Sequence, residues 1–185
     1  MNNEDLNIST TDELQYLLEK AYWIQSKYKQ SIYWLAYVSV DGKIRDLIFK
    51  LSHKAENHKL ILREFCSNLK DIDPMKAIDK MNFSINNFET KDKKSEEIIS
   101  KLADIEYIAF DIYSKILKYS DKNLIKEIWI EVDYNEYYSK LQVLIDDENE
   151  FINLVKPFHS NLERILLSGN AILNFFIILN LKVLI

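Results

Sequence analysis

The chain has 185 residues, enough for one domain with a sizeable core, and its 48% hydrophobic and 29% charged residues make a globular balance. Glycine and proline occur only twice each, which leaves too few turn residues for a β architecture and favours long helices with few connections. A net charge of −5 and no basic stripe interleaved with aromatics argue against a nucleic-acid partner.

Residues 1–11 are polar and acidic, unlike a signal peptide, and read as a flexible N-terminus. Thr10-Thr11-Asp12-Glu13 has the form of a capping box, so the first helix is expected to start near Thr11. Its core stripe is read as Leu14, Leu17, Ala21, Ile24, Tyr28, Ser31, Leu35 and Val38. The pattern breaks at Val40-Asp41-Gly42-Lys43, where Asp41 can cap the next helix. The second stripe is Ile44, Ile48, Leu51, Ala55, His58, Leu62, Phe65 and Leu69, ending before Pro74. So short a turn between long helices makes an antiparallel hairpin. Cys66 falls on the apolar face of this helix as a small buried hydrophobe. As a lone cysteine it forms no internal disulfide, consistent with a reducing, cytoplasmic setting.

A long connection follows, roughly 71–94, with room for a short helix at 75–80 and a solvated charge run, Lys91-Asp92-Lys93-Lys94. A third helix opens at Ser95 with Glu96 and Glu97 in its first turn; its stripe is Ile98, Leu102, Ile105, Ala109, Ile112 and Ile116. A break at Ser120-Asp121 leads to a short helical stretch, 124–130. The fourth long helix starts at Asp133, with Glu136 completing a capping pattern, and runs through Tyr137, Leu141, Leu144, Glu148, Phe151 and Val155. Pro157 kinks it or opens a further helix. Residues 171–185 are strongly apolar but interrupted by Asn174, Asn180 and Lys182, and are shorter than the ~20 residues of a spanning helix. They read as part of a tail, 169–185, that packs on the bundle or on a partner chain rather than as a membrane anchor. The expected fold is thus an all-α, antiparallel four-helix bundle over 12–168: two hairpins joined by a long crossover.

Three titratable residues interrupt the inward seams: His58, Glu148 and, one position off its seam, Glu106. A charge buried without a partner is costly, so three that point into one interior satisfy one another or hold something. His53 and His159 read as surface residues. The aromatics Tyr22, Trp23, Tyr28, Tyr33, Trp34 and Tyr37 crowd the first helix and read as a core edge or subunit interface. No phosphate loop, Cys-x-x-Cys pair or nucleophile triad appears.

Ala55-Glu56-Asn57-His58 has the spacing of a Glu-x-x-His motif with alanine in the glutamate's place. Glu148-Asn149-Glu150-Phe151 has the same spacing with phenylalanine in the histidine's place. With Glu106 and Tyr113 two turns apart, and two hairpins joined by a crossover, the chain from Leu14 to Val155 resembles the ferritin-like, or rubrerythrin-like, superfamily. That family binds two metal ions through a Glu from each of two helices and a Glu-x-x-His from each of the other two. The first helix has no acid between Glu19 and Asp41, and Glu19 lies away from its stripe. The resemblance implies that His58, Glu106 and Glu148 are the ligands that remain, able to take one iron, zinc or manganese ion. Two functions are compatible with it. One is a bundle without most of its di-iron ligands, serving as a non-enzymatic structural or interaction module. The other is a metal-binding protein with weak redox or oxygen chemistry. Either is expected to form a homo-oligomer through aromatic helix faces or the tail.

Overall fold

A computed structural model of the protein describes residues 7–76 and 88–155. Most of the expected short helix at 75–80, together with Pro157, His159 and the apolar stretch 171–185, lies outside the described residues. The described chain is helical throughout, apart from connections and two isolated bridges.

The capping box at the start of α1 (Thr11–Trp23) forms as its residues require: Thr10 Oγ1 accepts from Glu13 N–H at 3.3 Å, and Glu13 Oε2 accepts from Thr10 N–H at 3.1 Å. Two N–H groups that no helical carbonyl can reach are thereby paired. Thr10→Ala is expected to cost about 1 kcal/mol, read as a lowered urea midpoint at unchanged m-value; an unshifted midpoint means that the box contributes nothing. Ile8, inside the segment expected to be flexible, is buried and bridges Ser120: its N–H donates to Tyr119 O at 2.8 Å and its carbonyl accepts from Asp121 N–H at 2.9 Å.

α1 does not end at Trp23. It passes through a π-helical segment, Ile24–Tyr28, into α2 (Lys29–Ser39), making one continuous rod. A π turn takes in one extra residue, and its effect is visible in the burial. Leu14, Leu18, Ala21 and Gln25 line the interior before the extra residue is absorbed, and Lys29, Ile32, Tyr33, Ala36 and Val40 after it. The expected stripe is therefore displaced in α2, where Leu35 and Val38 are exposed and Ala36 and Val40 are buried in their stead.

After Val40 the chain reverses into α3 (Gly42–Ser67). Asp41 takes the cap position through its carbonyl, which accepts from Ile44 and Arg45 N–H at 3.0 Å each, while its carboxylate makes no cap bond. α4 (Ser95–Tyr119) opens at the expected residue, α5 (Lys122–Ile128) is capped by Asp121, and α6 is Asn135–Val155. The expected stripes of α3, α4 and α6 are buried throughout, save that Ile44 at the start of α3 is half-buried. Cys66 is buried among them, and burial pushes its thiol pKa up.

Residue pairing gives the helix directions. Tyr137 at the start of α6 bonds Ser120 at the end of α4 (2.9 Å). Lys140 and Glu150 on α6 pair with Glu64 and Lys54 on α3 at 3.0 and 2.6 Å, in falling order. Gln25 and Lys29 on the first rod meet Tyr113 and Glu106 on α4, again in falling order. α4 and α6, α3 and α6, and the first rod and α4 are each antiparallel. The rod and α3 are joined by the tight reversal at Val40-Asp41. Phe65, Trp129 and Tyr137 close one end, with ring centroids 5.1–5.8 Å apart. Among the described residues no helix is long and apolar enough to cross a membrane.

Candidate functional site: a buried ion cluster

Most of the buried polar groups among the described residues gather midway along the helices, where each long element contributes. The π segment ends immediately before Lys29, and the wider turn brings Lys29 inward beside Gln25; Lys29 is 1% exposed. α3 contributes His58, α4 contributes Glu106 and Tyr113, and α6 contributes Glu148, all buried.

Lys29 Nζ lies at the centre. It donates to Glu106 Oε2 at 2.7 Å and to Glu148 Oε1 at 3.0 Å, with Glu148 Oε2 at 3.3 Å. Gln25 Nε2 donates to Glu148 Oε1 at 2.8 Å and to the Tyr113 hydroxyl at 2.9 Å. His58 Nδ1 stands 3.1 Å from Glu148 Oε1, and its Nε2 stands 3.1 Å from Asp147 Oδ2. Asp147 is 40% exposed, so the network runs from the buried interior to the surface.

The two buried carboxylates are shifted in opposite directions. Burial raises the pKa of Glu106 well above the ordinary carboxylate value, and the neighbouring Glu148 charge raises it further; Lys29 opposes without prevailing. Burial acts on Glu148 in the same sense, but the Lys29 charge, helped by the contact with His58, outweighs it and holds Glu148 below the ordinary range. The contacts explain the asymmetry. Glu148 Oε1 faces Gln25, Lys29 and His58, whereas Glu106 has Lys29 on one oxygen and no partner among the described residues on the other. A pair of close carboxylates that shares one proton behaves this way. A proton shared by the pair would leave one carboxylate charge to balance the Lys29 ammonium. Burial works against the Lys29 charge, but Glu106 and Glu148 more than compensate and raise its pKa. Held as an ammonium, Lys29 is no nucleophile. Burial, with Glu148 second, also raises the Tyr113 phenol and keeps it neutral.

The three expected site residues do meet: Glu148 contacts His58 directly and shares the Lys29 ammonium with Glu106. Three others join them that the sequence reading did not single out, namely Lys29, Gln25 and Asp147. One signal for Lys29 was the charge balance, since two buried acids need a cation and the acid-free stretch of the first helix is where one can come from. Gln25 continues the Leu14, Leu18, Ala21 spacing. Ala55 and Phe151, three residues from His58 and Glu148 respectively, are buried and apolar. Glu19 is engaged by Gln15, which also holds the backbone of Asp73 through bonds of 2.7 and 3.1 Å.

Most of the metal-ligating atoms are already engaged, although Glu106 Oε1 has no partner among the described residues. Both imidazole nitrogens face carboxylates, and an ammonium lies where the two glutamates converge, so a metal ion fits there only with Lys29 withdrawn. Among the described residues no group of three His, Cys, Asp or Glu is placed to hold a metal ion. No protein-family model, curated protein or solved structure matches the chain.

Proposed function

We propose that this chain is a ferritin-like, antiparallel four-helix bundle with a long crossover, in which a lysine ammonium stands in for the metal ions, and that it serves as a non-enzymatic structural or interaction module. The observation that carries the reading is the position of Lys29 Nζ, within 2.7 Å of Glu106 and 3.0 Å of Glu148 in the middle of the interior. The up-down-down-up order that follows from the residue pairings supports the bundle, because a hairpin pair of that order needs its long connection between the second and third helices. A buried cation and anion add little to stability over a well-packed apolar pair, and their best-attested use is to enforce one arrangement of helices. Lys29 reaches two helices at once and suits that use.

Protein expressed with iron, zinc and manganese supplied, and purified without chelator, is expected to carry metal well below one ion per chain. One tightly bound ion per chain, absent from a His58→Ala variant, would reverse the reading in favour of a metal-binding protein.

A further inference from the structure

On the outer side of the hairpin, α2 and α3 leave a groove of about 560 Å³. Tyr33, Trp34 and Tyr37 form one wall, and Ile48, Phe49 and Ala55 form much of the other. Trp34 is 66% and Phe49 is 55% exposed. Large apolar side chains gathered along one seam mark a surface that something covers.

The chain itself supplies a candidate. The pairing of Lys54 with Glu150 at 2.6 Å fixes the register of α3 against α6. Five residues onward from Glu150 is Val155, the last described residue, and five residues back from Lys54 is Phe49 in the groove wall. The chain therefore leaves α6 level with the groove, on the other flank of α3. Residues 156–170 follow before the apolar stretch 171–185 begins. Fully extended they reach about 50 Å, several times the ~10 Å breadth of a helix that they need to cross. In 171–185 all residues but Asn174, Asn180 and Lys182 are apolar. The match is one of position, reach and polarity. We propose that residues 171–185 occupy the α2–α3 groove of their own chain, covering Trp34 and Phe49. The proposal does not depend on what the buried ion cluster does.

Disulfide trapping in the full chain tests it. Ser52 lines the groove, and Cys66 is buried and will not compete. Under mild oxidation the Ser52→Cys/Ile177→Cys variant is expected to give a cross-linked species of monomer mass. The exposed Ser139, at the far end of α6, provides the control: Ser139→Cys/Ile177→Cys is expected to stay reduced. Adding Trp34→Glu and Phe49→Glu to the first variant should abolish the cross-link while leaving the helical circular dichroism in place. A disulfide-linked dimer, which puts the segment on a second copy, overturns the proposal. So does an absence of cross-linking in a folded variant, as expected of a segment held by a membrane or another partner. Equal trapping at Ser139 overturns it as well.

Discussion

Replacing Lys29 with alanine is expected to lower the stability of the fold by about 3–5 kcal/mol, the usual loss when one member of a buried ion pair is removed. The loss comes less from the missing attraction than from what stays behind. Glu148 would keep its hydrogen bond from Gln25 and its contact with His58, but with Glu106 it would form a carboxyl pair in an interior with no cation between them. A group 1% exposed has no access to water for relief. The drop should appear as a lower urea midpoint with an unchanged m-value. Two further measurements separate the charge argument from a simple cavity. Lys29→Met combined with Glu148→Gln removes the charges and keeps the volume, so it should recover most of the loss, since neutral replacements of buried ion pairs are often tolerated. In Lys29→Ala, zinc or manganese should raise the midpoint, because a cation is what the two carboxylates lack, while the native protein should not respond. If Lys29→Ala unfolds within about 0.5 kcal/mol of the native protein, a typical surface substitution, the central role given to the ammonium is wrong.

Alkaline pH is expected to unfold the protein well before acid does. Among the buried groups that titrate in the alkaline range, four have strongly raised pKa values: Cys66 from 9.0, Tyr113 and Tyr137 from 10.0, and Lys29 from 10.5. For the thiol and the phenols burial is the main cause; for Lys29 the two glutamates overcome it. A group raised on folding gives stability that is complete below its unfolded value and disappears as pH climbs from that value toward the folded one. All four have this sign, so their losses add. Lys20 works the other way, since burial lowers its pKa to about 8 and its cost is relieved between there and 10.5. It offsets the thiol that ionises from about pH 9, so stability should decline clearly above pH 10, where the phenols and the ammonium join. At about 1.4 kcal/mol per pH unit and group, the combined loss by pH 11 is about 6 kcal/mol at most, comparable with the whole stability of a small domain. Acid differs because the two carboxylates oppose each other. Glu148, depressed, loses its contribution as pH falls through its folded value; Glu106, raised, favours folding below the ordinary value of 4.5. Urea midpoints between pH 7 and 11 would show the decline, and Tyr113→Phe should make it shallower. A flat profile to pH 11 would mean that these groups are open to water.

Helix by helix, the readable signal was periodicity. His58, Leu62 and Phe65 on α3, the run from Ile98 to Ile116 on α4 and that from Tyr137 to Val155 on α6 repeat every three or four residues, and the buried faces follow them. Local chemistry set the ends as well: Thr10 with Glu13, and Asp121 beside a break, act through groups only a few residues away.

That limit of range divides the two kinds of knowledge. Composition and spacing alone determined that the chain is helical, which faces turn inward, and that His58, Glu106 and Glu148 lie on them. Such information sits within one or two turns, where backbone geometry relates residue number to direction. The π segment is where this relation broke, because one extra residue in the turn moved every later side chain of the first rod and brought Lys29 into the core. Only the packed helices decided that an ammonium stands between the two glutamates and that the pKa of Glu148 is pushed down while that of Glu106 is pushed up. Those outcomes depend on distances between residues 77 and 119 positions apart in the chain, and on the low dielectric that packing creates.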